Sequence, residues 1–488
     1  MPQSKRIHYA TSAVMLFAVV LSLIQFLCNR SLWLDEAMLA LNIINKSYIQ
    51  LLQPLDYTQV APIAFLQIEK VFSTLIPNSE FGLRIFPLLC FWASVYLFYK
   101  ITLILTKDAK ISLFAISLFC LNTSLMYYSS EIKQYMSDVF VCLLLYFILL
   151  KEYKNFSNRF ILLAVFGTTA IFLSNVSVIV LSTIAVYLII EQIKTKRTNY
   201  WGLAIPFITW AVVCGFYYLR FIYNHPSKDT MLVYWIDCFM PLNIFEADFW
   251  NFCFYKTKMV FSTLLPFGNL WIATLLFFII GLYSLIKNKN RKILLLLLLP
   301  LVLQLVLSAF KIYPFDLRLI LFQTGFYILI LSMGIIHVVN LIINKTKQQW
   351  LVWLPIIFPL IAGADLLKNY PSKTEEIKES IRFIESHIKP DEKVYVYYGA
   401  IRAFDYYLKT GKVPFKNQLV YGTGHRGDSK KYVDEIKNNI GICWILFSHI
   451  HKEENNYITT SLDSLYKRIF FYKTKDSEVY LYNIVNKQ

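Results

Sequence analysis

The chain alternates long apolar runs with short polar breaks. Runs of spanning length occupy 9–28, 81–104, 111–128, 135–150, 160–174, 176–193, 201–221, 264–286, 293–311, 318–343 and 350–368. Because an α-helix rises 1.5 Å per residue, ~20 apolar residues cross a hydrocarbon layer of ~30 Å. The pattern therefore predicts a polytopic α-helical membrane protein of about 11 transmembrane helices. From Tyr370 onward the period changes. Charged residues fall at helical spacing over 374–388, strand-like alternation marks 393–398 and 442–447, and 400–409 is helical again. Two domains are expected: 1–369 in the membrane, and a small α/β domain over 370–488. No internal repeat, low-complexity tract or Gly-rich phosphate loop breaks this picture.

Composition agrees with the pattern. At 57% hydrophobic and 17% aromatic residues, with a mean hydropathy of +0.50, the chain is too apolar for a soluble enzyme. A net charge of +17 raises nucleic acid as a partner, but the basic residues do not form a patch. They recur in alternate loops: Lys5 and Arg6; Lys107 and Lys110; Lys151, Lys154 and Arg159; Lys194, Lys196 and Arg197; Lys287, Lys289, Arg291 and Lys292; Lys345 and Lys347. The positive-inside rule places these loops in the cytoplasm and excludes nucleic acid as the explanation. The opposite loops, 29–80, 129–134, 174–175, 222–258 and 312–317, then face outward, and an odd span count carries the C-terminal domain to the same side. The first run lacks a small-residue cleavage site and is expected to stay as a span. The eight cysteines show no CxxC spacing; Cys238 and Cys253 share an outer loop and read as two free thiols, with a disulfide as the alternative.

Candidate chemistry lies at the outer ends of spans. Trp33-Leu34-Asp35-Glu36-Ala37 puts two carboxylates just beyond the first apolar run, where a charge must be solvated, paired or used. Tyr127-Tyr128-Ser129-Ser130-Glu131-Ile132-Lys133-Gln134-Tyr135 fills a short outer turn, with Asp138 one helical turn into the next run. Facing lipid, Asp138 would be costly, so it is expected in a polar cavity or paired with Lys133 or another base. Arg84 and Arg318 supply cations at the same ends, and the arginine fork suits phosphate. The plain alternatives are interfacial charges, structural ion pairs and snorkelling arginines. His225, His337, His425, His449 and His451 have no metal spacing and read as loop or surface histidines.

Five segments in this order, Ser31 to Ala37, Gln59-Val60-Ala61-Pro62, Glu80 to Arg84, Tyr128 to Tyr135 and Tyr313 to Arg318, give the chain a likeness. It resembles the bacterial glycosyltransferase family 39-like branch of the GT-C superfamily, relatives of dolichyl-phosphate-mannose protein mannosyltransferases and of the lipid A aminoarabinose transferase. The likeness is strong over roughly the first 150 residues, moderate around Arg318 and otherwise one of topology. Pro62-Ile63 stands where the family usually has Pro-Pro.

The resemblance implies a GT-C fold with an outward-facing cavity, in a multi-pass protein of the bacterial inner (plasma) membrane. It implies a polyprenyl-phosphate sugar as donor and an extracytoplasmic glycan, lipid or protein as acceptor. Carried over by motif, Asp35 is the catalytic carboxylate, with Glu36 beside it and Glu131 as the second acid. Arg318, Arg84 and Lys133 are then expected at the donor phosphate, and Gln59, Gln134, Tyr135 and Asp138 in the cavity. A divalent metal is compatible with clustered carboxylates, but no spacing fixes one, and no other cofactor is implied. The rival from another class is a transporter or flippase for a lipid-linked saccharide. That function favours charges at the bilayer midplane and two related halves with Gly/Pro-interrupted helices, neither of which the sequence has.

Overall fold

The computed structural model describes residues 3–153, 156–195, 200–265, 267–411, 415 and 417–485. Lys154, Lys196 and Arg197 of the basic loops lie outside them. The chain divides into two compact units. One holds Met1–Leu27, Leu51–Ile68 and Arg84–Tyr370; the other holds Cys28–Gln50, Glu69–Leu83 and Pro371–Gln488.

The first unit is helical. Among the described residues, eight helices are long and apolar enough to cross a membrane: Lys5–Leu27, Ile85–Thr106, Ser177–Lys194, Gly202–Ile222, Gly268–Lys287, Arg291–Ala309, Leu321–Thr346 and Gln349–Lys368. Three shorter apolar helices, Ala109–Cys120, Tyr135–Leu150 and Ser157–Leu173, overlie the remaining predicted runs. The protein is thus a multi-pass membrane protein. Local chemistry sets the breaks. Lys107 ends one helix in the left-handed region (φ 53°), and the next residue, Asp108, caps the following helix by accepting from the Lys110 and Ile111 amides. The expected run 111–128 is two helices. Asn122 stops the first and caps Thr123–Tyr128, its Oδ1 accepting from the Leu125 amide at 2.9 Å. Two helices meet through glycine: a Cβ on Gly281 would lie 2.1 Å from the Ile330 carbonyl oxygen, and one on Gly334 1.9 Å from that of Phe277. Only a residue without a side chain lets these backbones approach so closely.

The second unit is built on a five-stranded sheet of β1 (Lys393–Val396), β2 (Leu419–Tyr421), β3 (Gly441–Ser448), β4 (Lys467–Thr474) and β5 (Ser477–Ile484), in the order β2-β1-β3-β5-β4. β1 runs parallel to both β2 and β3, whereas β5 is antiparallel to β3 and β4. β3 is buried from Cys443 to Ser448, and its apolar run is that of a strand covered on both faces. β4 is largely exposed along its length and forms one edge. The helix Ile377–His387 matches the charged periodic stretch of the sequence. The β4–β5 hairpin escapes sequence reading because its turn, Lys475-Asp476, has none of the usual Asn-Gly or Asp-Gly chemistry; Asp476 nonetheless sits at φ 52°.

Candidate active site

In the second unit, Trp33 leads into the helix Leu34–Asn45, whose first turn carries both Asp35 and Glu36. Acidic residues are favoured there, because the free amides and the helix dipole stabilise negative charge. The two carboxylates have different surroundings. Glu36 is fully buried and lies in a two-pronged ion pair with Arg30, Nη1 to Oε2 at 2.5 Å and Nη2 to Oε1 at 3.2 Å. Asp35 is only partly buried. Thus the carboxylate beside Asp35 is committed to holding the turn, and Asp35 is the more accessible acid.

The same turn is tied to the start of the C-terminal segment. The Leu32 amide donates to the Tyr407 hydroxyl at 2.8 Å, and the Leu34 amide donates to Glu375 Oε2 at 3.3 Å. Lys378 Nζ donates to the Asn29 carbonyl at 2.6 Å and pairs with buried Glu80 at 3.3 Å. The far end of the helix Leu34–Asn45 is capped by Lys70, whose Nζ donates to the carbonyls of Ile43 and Ile44. The adjacent Glu69 is fully buried with no hydrogen-bond partner on either oxygen among the described residues, and burial pushes its carboxyl well above the usual range.

The other predicted residues belong to the first unit. Glu131, Lys133, Gln134, Tyr135 and Asp138 are all buried in and after the turn at Ser129. Lys133 Nζ donates to Gln59 Oε1 at 2.7 Å. Gln59 follows Tyr57 and Thr58, both in the left-handed region at φ 61° and 56°, a costly conformation for β-branched Thr58. The Arg318 guanidinium lies 4.8 Å from the centre of the Trp235 ring and 6.0 Å from that of Tyr135, and donates to the Tyr234 hydroxyl at 3.3 Å. Glu131, Tyr135 and Arg318 all act electrostatically on the Tyr128 hydroxyl, so they form one neighbourhood. Arg84 is buried at the start of the helix Ile85–Thr106. Of the two settings expected for Asp138, a polar cavity or a pairing with a base, the ion pair is not formed among the described residues; its Oδ1 accepts from the Ser174 hydroxyl at 2.6 Å. The donor lies in the short break just after the helix Phe156–Leu173.

Sequence reading passed over one group in the second unit. His449 Nδ1 lies 2.7 Å from Glu375 Oε1, and its ring centre lies 6.5 Å from that of Trp33. Asp35 is among the charges that act on the imidazole. No sequence spacing joins residues 35, 375 and 449; the only available signal was a histidine immediately after an apolar strand. Cys238 and Cys253 are free thiols. Among the described residues, no group of three His, Cys, Asp or Glu side chains is arranged to hold a metal ion.

No family model matches the chain, and no curated protein does. Solved structures do, among them two of one protein. The crystal structure of ArnT from Cupriavidus metallidurans in the apo state aligns at a TM-score of 0.54 and 12% identity, over 98% of this chain and all of that one. The same protein bound to undecaprenyl phosphate aligns at 0.55 and 12%, over 98% of each chain. The chain therefore shares the fold of these ArnT structures.

Proposed function

We propose that the protein is a membrane glycosyltransferase that moves a sugar from a polyprenyl-phosphate donor to an extracytoplasmic glycan, lipid or protein. The observation that carries this reading is the alignment over nearly the whole chain with ArnT in its undecaprenyl-phosphate-bound form. The partly buried Asp35 at the start of a helix supplies the base the reaction needs.

In the proposed reaction an acceptor oxygen attacks the anomeric carbon through an oxocarbenium-like transition state, and the bond from that carbon to the phosphate oxygen breaks. Its electron pair goes to the lipid phosphate, and the acceptor's proton goes to Asp35. A single displacement inverts the anomeric configuration. Asp35 acts as general base, a role worth typically ~10²–10⁴-fold. Arg318, with Arg84 and Lys133, neutralises charge that builds on the leaving phosphate. Glu131 and Tyr135, close to Arg318 through Tyr128, together with Gln59, Gln134 and Asp138 shape the polar surroundings. Glu36, engaged by Arg30, orients the turn that carries Asp35.

The test is to incubate the purified protein with a panel of radiolabelled undecaprenyl-phosphate sugars and measure sugar release and transfer. Turnover of one donor is expected. Movement of an intact lipid-linked sugar across proteoliposomes, without cleavage, would establish the flippase instead. The extracytoplasmic placement rests on the basic loops and the odd number of predicted spans. A cysteine at Lys452 is expected to react with an impermeant thiol reagent on intact cells; reaction only after the inner face is opened would reverse the orientation.

A further inference from the structure

The second unit places a titratable group beside Asp35 that the reaction above does not use. His449 follows β3 directly, at the carboxyl end of the strand. β1 lies between β2 and β3 and runs parallel to both, so the chain leaves β1 toward one side and returns to the sheet on the other. In open sheets of this kind, ligands bind outside the carboxyl ends of the strands at such a switch point. The ends of β1 and β3 are also packed tightly. A Cβ on Gly399, just after β1, would lie 2.7 Å from the His449 carbonyl oxygen and 2.8 Å from that of Ser448. His449 itself adopts φ 51°, so the strand ends in a sharp turn.

Glu375 links this turn to the helix that bears Asp35. Its Oε1 faces His449 Nδ1 at 2.7 Å, and its Oε2 accepts from the Leu34 amide at 3.3 Å, one residue before Asp35. A carboxylate only accepts hydrogen bonds, so Nδ1 carries the proton, and in the neutral ring Nε2 is the basic nitrogen. The arrangement is that of an imidazole oriented by an acid, as in catalytic triads and metal sites where the second nitrogen does the work. Three charged groups bear on His449 from the elements around it: Glu375 ahead of the helix Ile377–His387, Asp35 on the helix Leu34–Asn45, and Arg426 on the loop after β2. Burial alone would lower the imidazole's pKa, and Arg426 acts in the same direction. The Glu375 hydrogen bond, the Glu375 charge and the Asp35 charge outweigh them, so His449 keeps its proton above the usual histidine range.

We propose that His449, held by Glu375, is a positioning residue that acts through Asp35, its protonation state setting whether the Asp35 carboxylate is held at the imidazole or released toward the acceptor. The inference rests on the glycosyltransferase reading. Protonated His449 holds the Asp35 carboxylate to itself. Loss of that proton frees the carboxylate to face the acceptor, so transfer rises with pH across the titration of His449. The sheet domain thereby takes part in the chemistry through one residue at its switch point.

Two measurements on the full-length protein test this. The first is an NMR titration of the ring-labelled His449 imidazole in wild type, Asp35→Asn and Glu375→Gln; it needs no turnover. The inference expects His449 to titrate above an ordinary histidine in wild type and to fall in both variants. An unchanged midpoint in Asp35→Asn overturns it, even in an active enzyme. The second is the pH–rate profile of sugar transfer in wild type and His449→Gln. A rise at the NMR midpoint that disappears in His449→Gln supports the inference, whereas a profile of unchanged shape overturns it. Intact NMR coupling with no sugar transfer by wild type from any donor overturns the glycosyltransferase reading and leaves the His449–Asp35 coupling standing.

Discussion

Asp35→Asn is expected to lower sugar transfer by at least ~10²-fold while donor affinity changes little. The substitution keeps size and polarity and removes only basicity, so it separates proton removal from packing. The neighbouring Glu36 is poorly placed to substitute, because both of its oxygens are engaged by Arg30. Matched detergent-extracted yield and thermal unfolding establish that the variant folds. Arg318→Lys makes the contrast: it keeps the charge but loses the planar fork, and should weaken donor binding as well as rate. If Asp35→Asn instead abolished donor binding and left turnover of bound donor intact, Asp35 would be a binding residue, and the base would have to be sought at Glu131.

The largest effect on stability is expected at Arg30. Its guanidinium is 1% exposed and its partner Glu36 is 0% exposed, so the pair is held out of water. Breaking a buried pair from one side strands the other charge, at a cost of about 3–5 kcal/mol. Arg30→Met should therefore destabilise the second unit by about that amount. The double variant Arg30→Met with Glu36→Leu removes both charges and should recover most of the loss. Thermal unfolding in detergent, or susceptibility of the C-terminal segment to protease, reads the difference. Little destabilisation of either variant would mean that the turn is held by its backbone hydrogen bonds to Tyr407 and Glu375 rather than by the ion pair. Because the turn carries Asp35, a small loss of order there should also reduce transfer before global unfolding sets in.

Two structural features could not be read locally. The first long loop reads as a single outer segment between spans, yet Cys28–Gln50 and Glu69–Leu83 pack with the C-terminal sheet, while Leu51–Ile68 packs with the helices. No composition change marks those boundaries. They arise from contacts such as Lys378 with Glu80 and Asn29, each formed across hundreds of residues. Likewise, Asp138 could be recognised as a buried acid in need of a partner, but Ser174 is one hydroxyl in the short break between two apolar helices and gives no pairing signal.

The sequence by itself determined the membrane class, the positions of the apolar helices and the change to an α/β segment after Tyr370, and it singled out Asp35 as the candidate acid. These are local properties: hydropathy over ~20 residues, a period of 3.6 or 2, and a carboxylate at the end of a span. Tertiary structure decided what each charged group does. Glu36 became half of a buried pair with Arg30, and Lys133 a donor to Gln59. His449, which reads in sequence as an ordinary loop histidine, came to face Glu375 within reach of Asp35. Charge, burial and hydrogen bonding are set by neighbours in space, and in this fold the neighbours of Asp35 come from the opposite end of the chain.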